Sequence, residues 1–172
     1  MQYAMLGPVG RVSRMSLGGG GIGQVWGDTS AEEAIATLRL AIDRGITLID
    51  TAPIYRNCEA IVARTFDGKI PGEVLITSKC RLGSPPASEV GQRLERSIEN
   101  SLSAMRLDFI DVFFLHTNIC ADDYSYQSMP DRQNEFATRW SLYTDEVVPA
   151  MERLRQAGRI SHWGSRVRVF PG

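Results

Sequence analysis

Cysteine is scarce in this 172-residue chain: there are three, Cys58, Cys80 and Cys120, an odd number, widely spaced and without a C-x-x-C pair. That pattern gives no disulfide framework and fits a reduced, cytoplasmic setting. Histidine is scarcer still, with only His116 and His162. No second His or Cys stands at ligand spacing from His116, so no metal site is expected. Long apolar runs are missing; none approaches the roughly 20 residues that span a bilayer. The start, Met1-Gln-Tyr-Ala-Met5, lacks the charged-then-apolar layout of a signal peptide. Charge of one sign is missing too. A formal net charge of −1 gives no support for nucleic-acid or anionic-membrane binding, and Arg166 with Arg168 makes only a small basic tail. No repeat or composition shift marks a linker, so residues 1–172 read as one domain.

What is present alternates between strand and helix. Residues 2–7 and 10–14 flank Gly7-Pro8 as a short hairpin, and Met15–Leu17 runs as a strand into a glycine-rich turn. Ser30 and Glu33 form a capping box, followed by Ile35, Leu38, Ala41 and Ile42 at helical spacing, with Gly45 as the stop. Strands are expected at 47–50, 74–77, 110–115 and 160–164, with a helix at 59–66. Ser88 can cap a long helix with Val90, Leu94, Ile98, Leu102 and Met105 on one stripe, and another helix runs from Thr144 or Asp145 to Gly158 with Val148, Met151 and Leu154 inward. The polar, aromatic stretch from His116 to about Tyr143 is too long for a passive connection. Such alternation implies a parallel sheet flanked by helices.

Several of these strands end in ionisable groups. Asp50 and Tyr55 lie at and just past the end of one, Lys79 just past the next and His116 just past the third. In parallel α/β proteins, active sites are built at that end of the sheet. A charged Lys beside a carboxylate can stabilise the phenolate form of a neighbouring tyrosine, which can then pass its proton to a carbonyl oxygen. A histidine can orient that oxygen. Each residue alone has a plainer reading: a turn aspartate, a solvated lysine, a satisfied rim histidine. Gly18-x-Gly20-x-x-Gly23 matches a dinucleotide fingerprint in form, but the helix signal waits until Ser30, so a close-packed turn is the better reading. Trp26, Tyr124, Tyr126, Trp140 and Tyr143 lie where they could shape an apolar mouth, or simply pack on the scaffold.

Five segments, Arg11–Gly18, Ala41–Tyr55, Val74–Lys79, Ser101–His116 and Leu154–Ile160, together resemble the aldo-keto reductase family in the family's own order. The flavour is that of bacterial members acting on sugars or small aldehydes. The resemblance implies a TIM-type (β/α)8 barrel and a catalytic tetrad of Asp50, Tyr55, Lys79 and His116 facing NADP(H). Tyr55 would be the general acid, and Trp26, Tyr55 and His116 would meet a small carbonyl substrate. Two local departures are Arg56, where the family usually carries glycine after the tyrosine, and Cys58 in place of a common serine.

The third departure is length. A full barrel takes about 250 residues, whereas about five β/α units can be counted here behind the N-terminal hairpin. Residues 165–171, Ser-Arg-Val-Arg-Val-Phe-Pro, read as a one-base frameshift of a family-like Ile-Thr-Gly-Thr-Gly-Val-Pro. The expectation is thus an incomplete barrel with a frameshifted tail over 165–172. Its open edges would favour homo-oligomers, for instance two chains completing one another's barrel. A catalytically impaired fragment that only binds or oligomerises remains the alternative to a reductase.

Overall fold

A computed structural model describes residues 1–125 and 132–165. The chain opens with an antiparallel hairpin, β1 (Tyr3–Met5) paired to β2 (Arg11–Ser13), around the Gly7–Val9 turn. Ser13 and Thr47 then lock the hairpin to the domain by reciprocal bonds, each backbone N–H donating to the other's hydroxyl oxygen at 2.9 Å.

Five parallel strands follow: β3 (Leu17–Gly18), β4 (Leu48–Asp50), β5 (Leu75–Cys80), β6 (Ile110–Leu115) and, after a ribbon described below, β9 (Ile160–Ser165). Their spatial order is their chain order, β3-β4-β5-β6-β9. A doubly wound sheet reverses its order part-way; this one does not, and its helices form one layer on one face. The architecture is that of an incomplete (β/α) barrel, as expected. Among the described residues, β3 and β9 are its outer strands.

Helix α1 (Gly19–Ile22) is a single turn made by the glycine run. Helix α2 (Ala31–Asp43) begins with the anticipated capping box: the Ser30 hydroxyl accepts from the Glu33 N–H at 3.1 Å, and the Glu33 carboxylate accepts from the Ser30 N–H at 2.9 Å. It ends at Gly45, whose φ of +87° suits a residue without Cβ. Helix α3 (Cys58–Phe66) buries Ile61 and Val62, and α4 (Val90–Met105) buries Val90, Leu94, Ile98, Leu102 and Met105 along one stripe. Each such side chain contributes about 1.5–3 kcal/mol relative to exposure. With Ile49, Ile76, Phe113 and Leu115 from the outward face of the strands they make the main core.

Three details differ from the sequence reading. Ser88 does not cap α4; a tight turn over Ala87–Glu89 precedes it, and Glu89 instead pairs with Arg93 one helical turn on. The stretch after His116 contains a two-stranded parallel ribbon, β7 (Asn118–Cys120) with β8 (Ala137–Arg139), and the short helix α5 (Gln133–Phe136). The last helix starts earlier than Thr144: α6 (Trp140–Leu142) runs through a π turn at Tyr143–Val147 into α7 (Val148–Gln156). Thr144 lies inside this run, where its hydroxyl donates to the Trp140 and Ser141 carbonyls. The wider π turn rotates the stripe, so that Val147, Ala150, Met151 and Leu154 are buried instead of Val148. Tyr126 and all of the 165–172 tail except Ser165 lie outside the described residues. No helix among the described residues is long and apolar enough to cross a membrane.

Candidate active site

Strand register explains why the four ionisable residues meet. Asp50 stands opposite Thr77, and Lys79 opposite Phe114, with His116 two positions further on. Side chains two apart share a face of a strand. Asp50, Thr77, Lys79, Phe114 and His116 therefore all project from the face away from the helices, at the C-terminal end of the sheet. The backbone N–H of His116 donates to the Cys80 carbonyl at 2.7 Å, extending the ladder one step beyond β6.

Lys79 is at the centre of the cluster and is buried. Its Nζ lies 2.6 Å from Asp50 Oδ1 and donates to the Thr51 carbonyl at 2.8 Å. The Thr77 hydroxyl donates to the same Asp50 oxygen at 2.9 Å. Thr51 is itself fastened to β5, its N–H and hydroxyl both donating to the Thr77 carbonyl. The ammonium thus has a carboxylate, a carbonyl and a rigid strand around it, which meets much of the cost of burying its charge.

Tyr55 reaches the cluster on the tight turn Pro53–Tyr55 that leaves β4. Lys79 Nζ sits 4.6 Å from the centre of its ring, and the His116 imidazole meets that ring edge-on, with centroids 6.1 Å apart and planes at 84°. The structure brings all four residues together. Tyr55 and His116 are half-buried while Lys79 lies behind them, so the phenol and the imidazole are the groups open to a ligand.

The glycine run supports that turn. A methyl group on Gly19 would strike the Asp50 carbonyl and the Cys58 sulfur, and one on Gly23 would strike the Tyr55 carbonyl. Gly19 and Gly23 are thus packed against the Tyr55 turn, and Gly20 against the Trp26 ring, the close-packed turn expected. Arg56 follows with φ of +50°, a conformation that favours glycine. Its guanidinium donates to the Gln24 carbonyl at 2.8 Å, and Asn57 donates to the Gln24 side chain at 3.1 Å, tying the turn to the loop after α1.

Sequence reasoning missed the support behind Lys79. Glu59 is buried, and Ser78, the residue before Lys79, donates to it at 2.7 Å and lies 3.1 Å from the Ser101 hydroxyl. This network joins α3, β5 and α4, and so links the Tyr55 turn to the Lys79 strand. Its signal was a glutamate on the helical face of Val62 and Ala63. The cysteines take no part in the cluster's chemistry: all three are buried free thiols, and burial pushes Cys58 up to about 12. Trp26 is exposed and covers Gly20; Tyr143 packs on the core and shares a hydrogen bond with Ser165 at 2.9 Å.

Known proteins resemble this chain in sequence and in fold. The sequence profile of the Aldo/keto reductase family matches residues 14–166. L-galactose dehydrogenase from Arabidopsis thaliana is 26% identical over 164 residues, covering 92% of this chain and 46% of that protein. Aldo-keto reductase YhdN from Bacillus subtilis is 35% identical over 126 residues, covering 67% of this chain and 38% of that protein. Among solved structures, an aldo-keto reductase from Klebsiella pneumoniae in complex with NADPH superposes with a TM-score of 0.69 at 26% identity, over 95% of this chain and 49% of the other. The chain spans about half the length of the curated relatives it matches.

Proposed function

This chain belongs to the aldo/keto reductase family, and on that premise we propose that its C-terminal strand ends form a carbonyl-reducing site that uses NADP(H). The observation that carries the reading is the contact of Lys79 with both the Asp50 carboxylate and the Tyr55 ring. NADP(H), when bound, would supply the hydride, and Asp50, Tyr55, Lys79 and His116 are the residues that would face it. The donor set suits that partner, since the half-buried phenol and imidazole lie side by side and can both address one oxygen.

In reduction, Tyr55 gives its proton to the carbonyl oxygen of a small aldehyde, ketone or sugar. The Lys79 ammonium stabilises the phenolate left behind, Asp50 and the Thr51 carbonyl hold that ammonium in place, and His116 orients the substrate oxygen by hydrogen bonding. Positioned proton donors of this kind supply about 10²–10⁴ in rate. Trp26 forms the substrate side of the mouth. The buried free thiols suit a cytoplasmic setting.

Fluorescence titration of the purified chain with NADPH, followed by NADPH oxidation on adding a small aldehyde, tests this. Saturable binding with turnover is expected; binding of neither cofactor nor aldehyde would remove the reading. A second reading, a module that binds or oligomerises without turnover, is favoured by β3 and β9, which stand at the edges of the sheet among the described residues.

A further inference from the structure

Next to the tetrad lies a cavity of about 300 Å³, between the exit of β5 and α4, with Lys79 common to both. Its charged lining is of one sign. Arg81 comes from the strand exit, Arg93 and Arg96 from the helix, and Ser97 and Asn100 add polar groups; no carboxylate lines it. Two of the cations are committed elsewhere: Lys79 to Asp50 at 2.6 Å, and Arg93 through Nε and Nη2 to Glu89. The other two make no ion pair among the described residues, although the Glu135 carboxylate, its pKa lowered mainly by the Arg132 hydrogen bond, is lowered further by nearby Arg81. Arg81 rests over the Phe136 ring at 4.3 Å, a contact that uses the guanidinium face and leaves its N–H edge available. Arg96 makes no hydrogen bond or ion pair among the described residues.

Arg81 and Arg96 line one cavity, and two guanidiniums held there repel each other at a cost. A multivalent anion between them reverses its sign. Guanidinium forks match the oxygens of a phosphate bidentately, with hydrogen bonds stronger than those between neutral groups. We propose that this pocket binds a phosphate-type oxyanion, free or as the monoester of a small molecule, through Arg81 and Arg96. The proposal is independent of the reductase reading, because none of these arginines belongs to the tetrad.

Calorimetric titration of the full chain with inorganic phosphate, and in parallel with glycerol phosphate, tests it. One saturable site per chain is expected. Arg96→Ala and Arg81→Ala should each weaken binding about tenfold, while Arg44→Ala, at the residue that follows α2, should leave it unchanged. Tighter binding of the ester would mark an esterified ligand, and equal binding would mark free phosphate; either supports the site. No saturation, or equal weakening by Arg44→Ala, would overturn it. Circular dichroism of each variant excludes loss of fold as the cause.

Discussion

Lys79 Nζ and Asp50 Oδ1 stand 2.6 Å apart across two neighbouring strands, with the Lys79 side chain almost wholly covered. Removing the carboxylate leaves an ammonium with only a carbonyl partner. Asp50→Ala should therefore lower stability by about 3 kcal/mol, discounted within the usual range because the aspartate is partly exposed. The double variant Asp50→Ala/Lys79→Met should recover part of that loss. Urea unfolding of the three proteins measures it.

Arg56 holds a backbone angle that glycine adopts at no steric cost. Arg56→Gly should relieve about 1 kcal/mol of strain, against the loss of one exposed bond to Gln24. A net rise in Tm of about 2–4 °C is expected. A fall would show that the bond to Gln24 outweighs the backbone term.

Gly23 has an ordinary φ, so Gly23→Ala tests space alone. Its methyl group has nowhere to go unless the Tyr55 carbonyl moves. The variant should lose any aldehyde turnover and melt earlier, whereas Gly21→Ala, with open space around it, should not.

Asp111 accepts the Ile76 N–H at 2.8 Å, and burial pushes its carboxyl above the usual value. A raised acid in the folded state binds more protons than the unfolded chain does, so its contribution falls as pH rises from about 4 through the raised value. Asp111→Asn keeps the acceptor and removes the charge, and should flatten that part of the pH–stability profile. Asp111→Ala orphans a buried N–H and should cost about 1–3 kcal/mol.

Cys58 is covered and pushed up to about 12, so almost none of it is thiolate near neutral pH. Native protein should react with a thiol reagent at this residue only as fast as it unfolds. Rapid labelling in the absence of denaturant would contradict the burial.

Much of this was legible because it is local. The Ser30–Glu33 box, the Gly45 stop and the α4 stripe each follow from residues within a turn or two of each other. Asp50, Lys79 and His116 were legible because each closes an apolar strand. What escaped depends on pairing between distant residues. The β7–β8 ribbon joins segments of three residues with no alternating pattern. The shift from Val148 to Val147 follows from a π turn that no residue type announces. The packing of Gly19 and Gly23 under the Tyr55 turn could be anticipated as closeness, but not its partner, since residues over thirty positions apart meet only once β3 and β4 have paired.

Comparing NADPH oxidation by wild type and Tyr55→Phe, with a small aldehyde and at matched cofactor occupancy, tests the tetrad most directly. The phenylalanine keeps the ring that meets Lys79 and His116 and removes only the transferable proton. Cofactor binding should persist while the rate falls by about 10²–10⁴. Equal rates in the two proteins would show that the Tyr55 hydroxyl is not the proton donor.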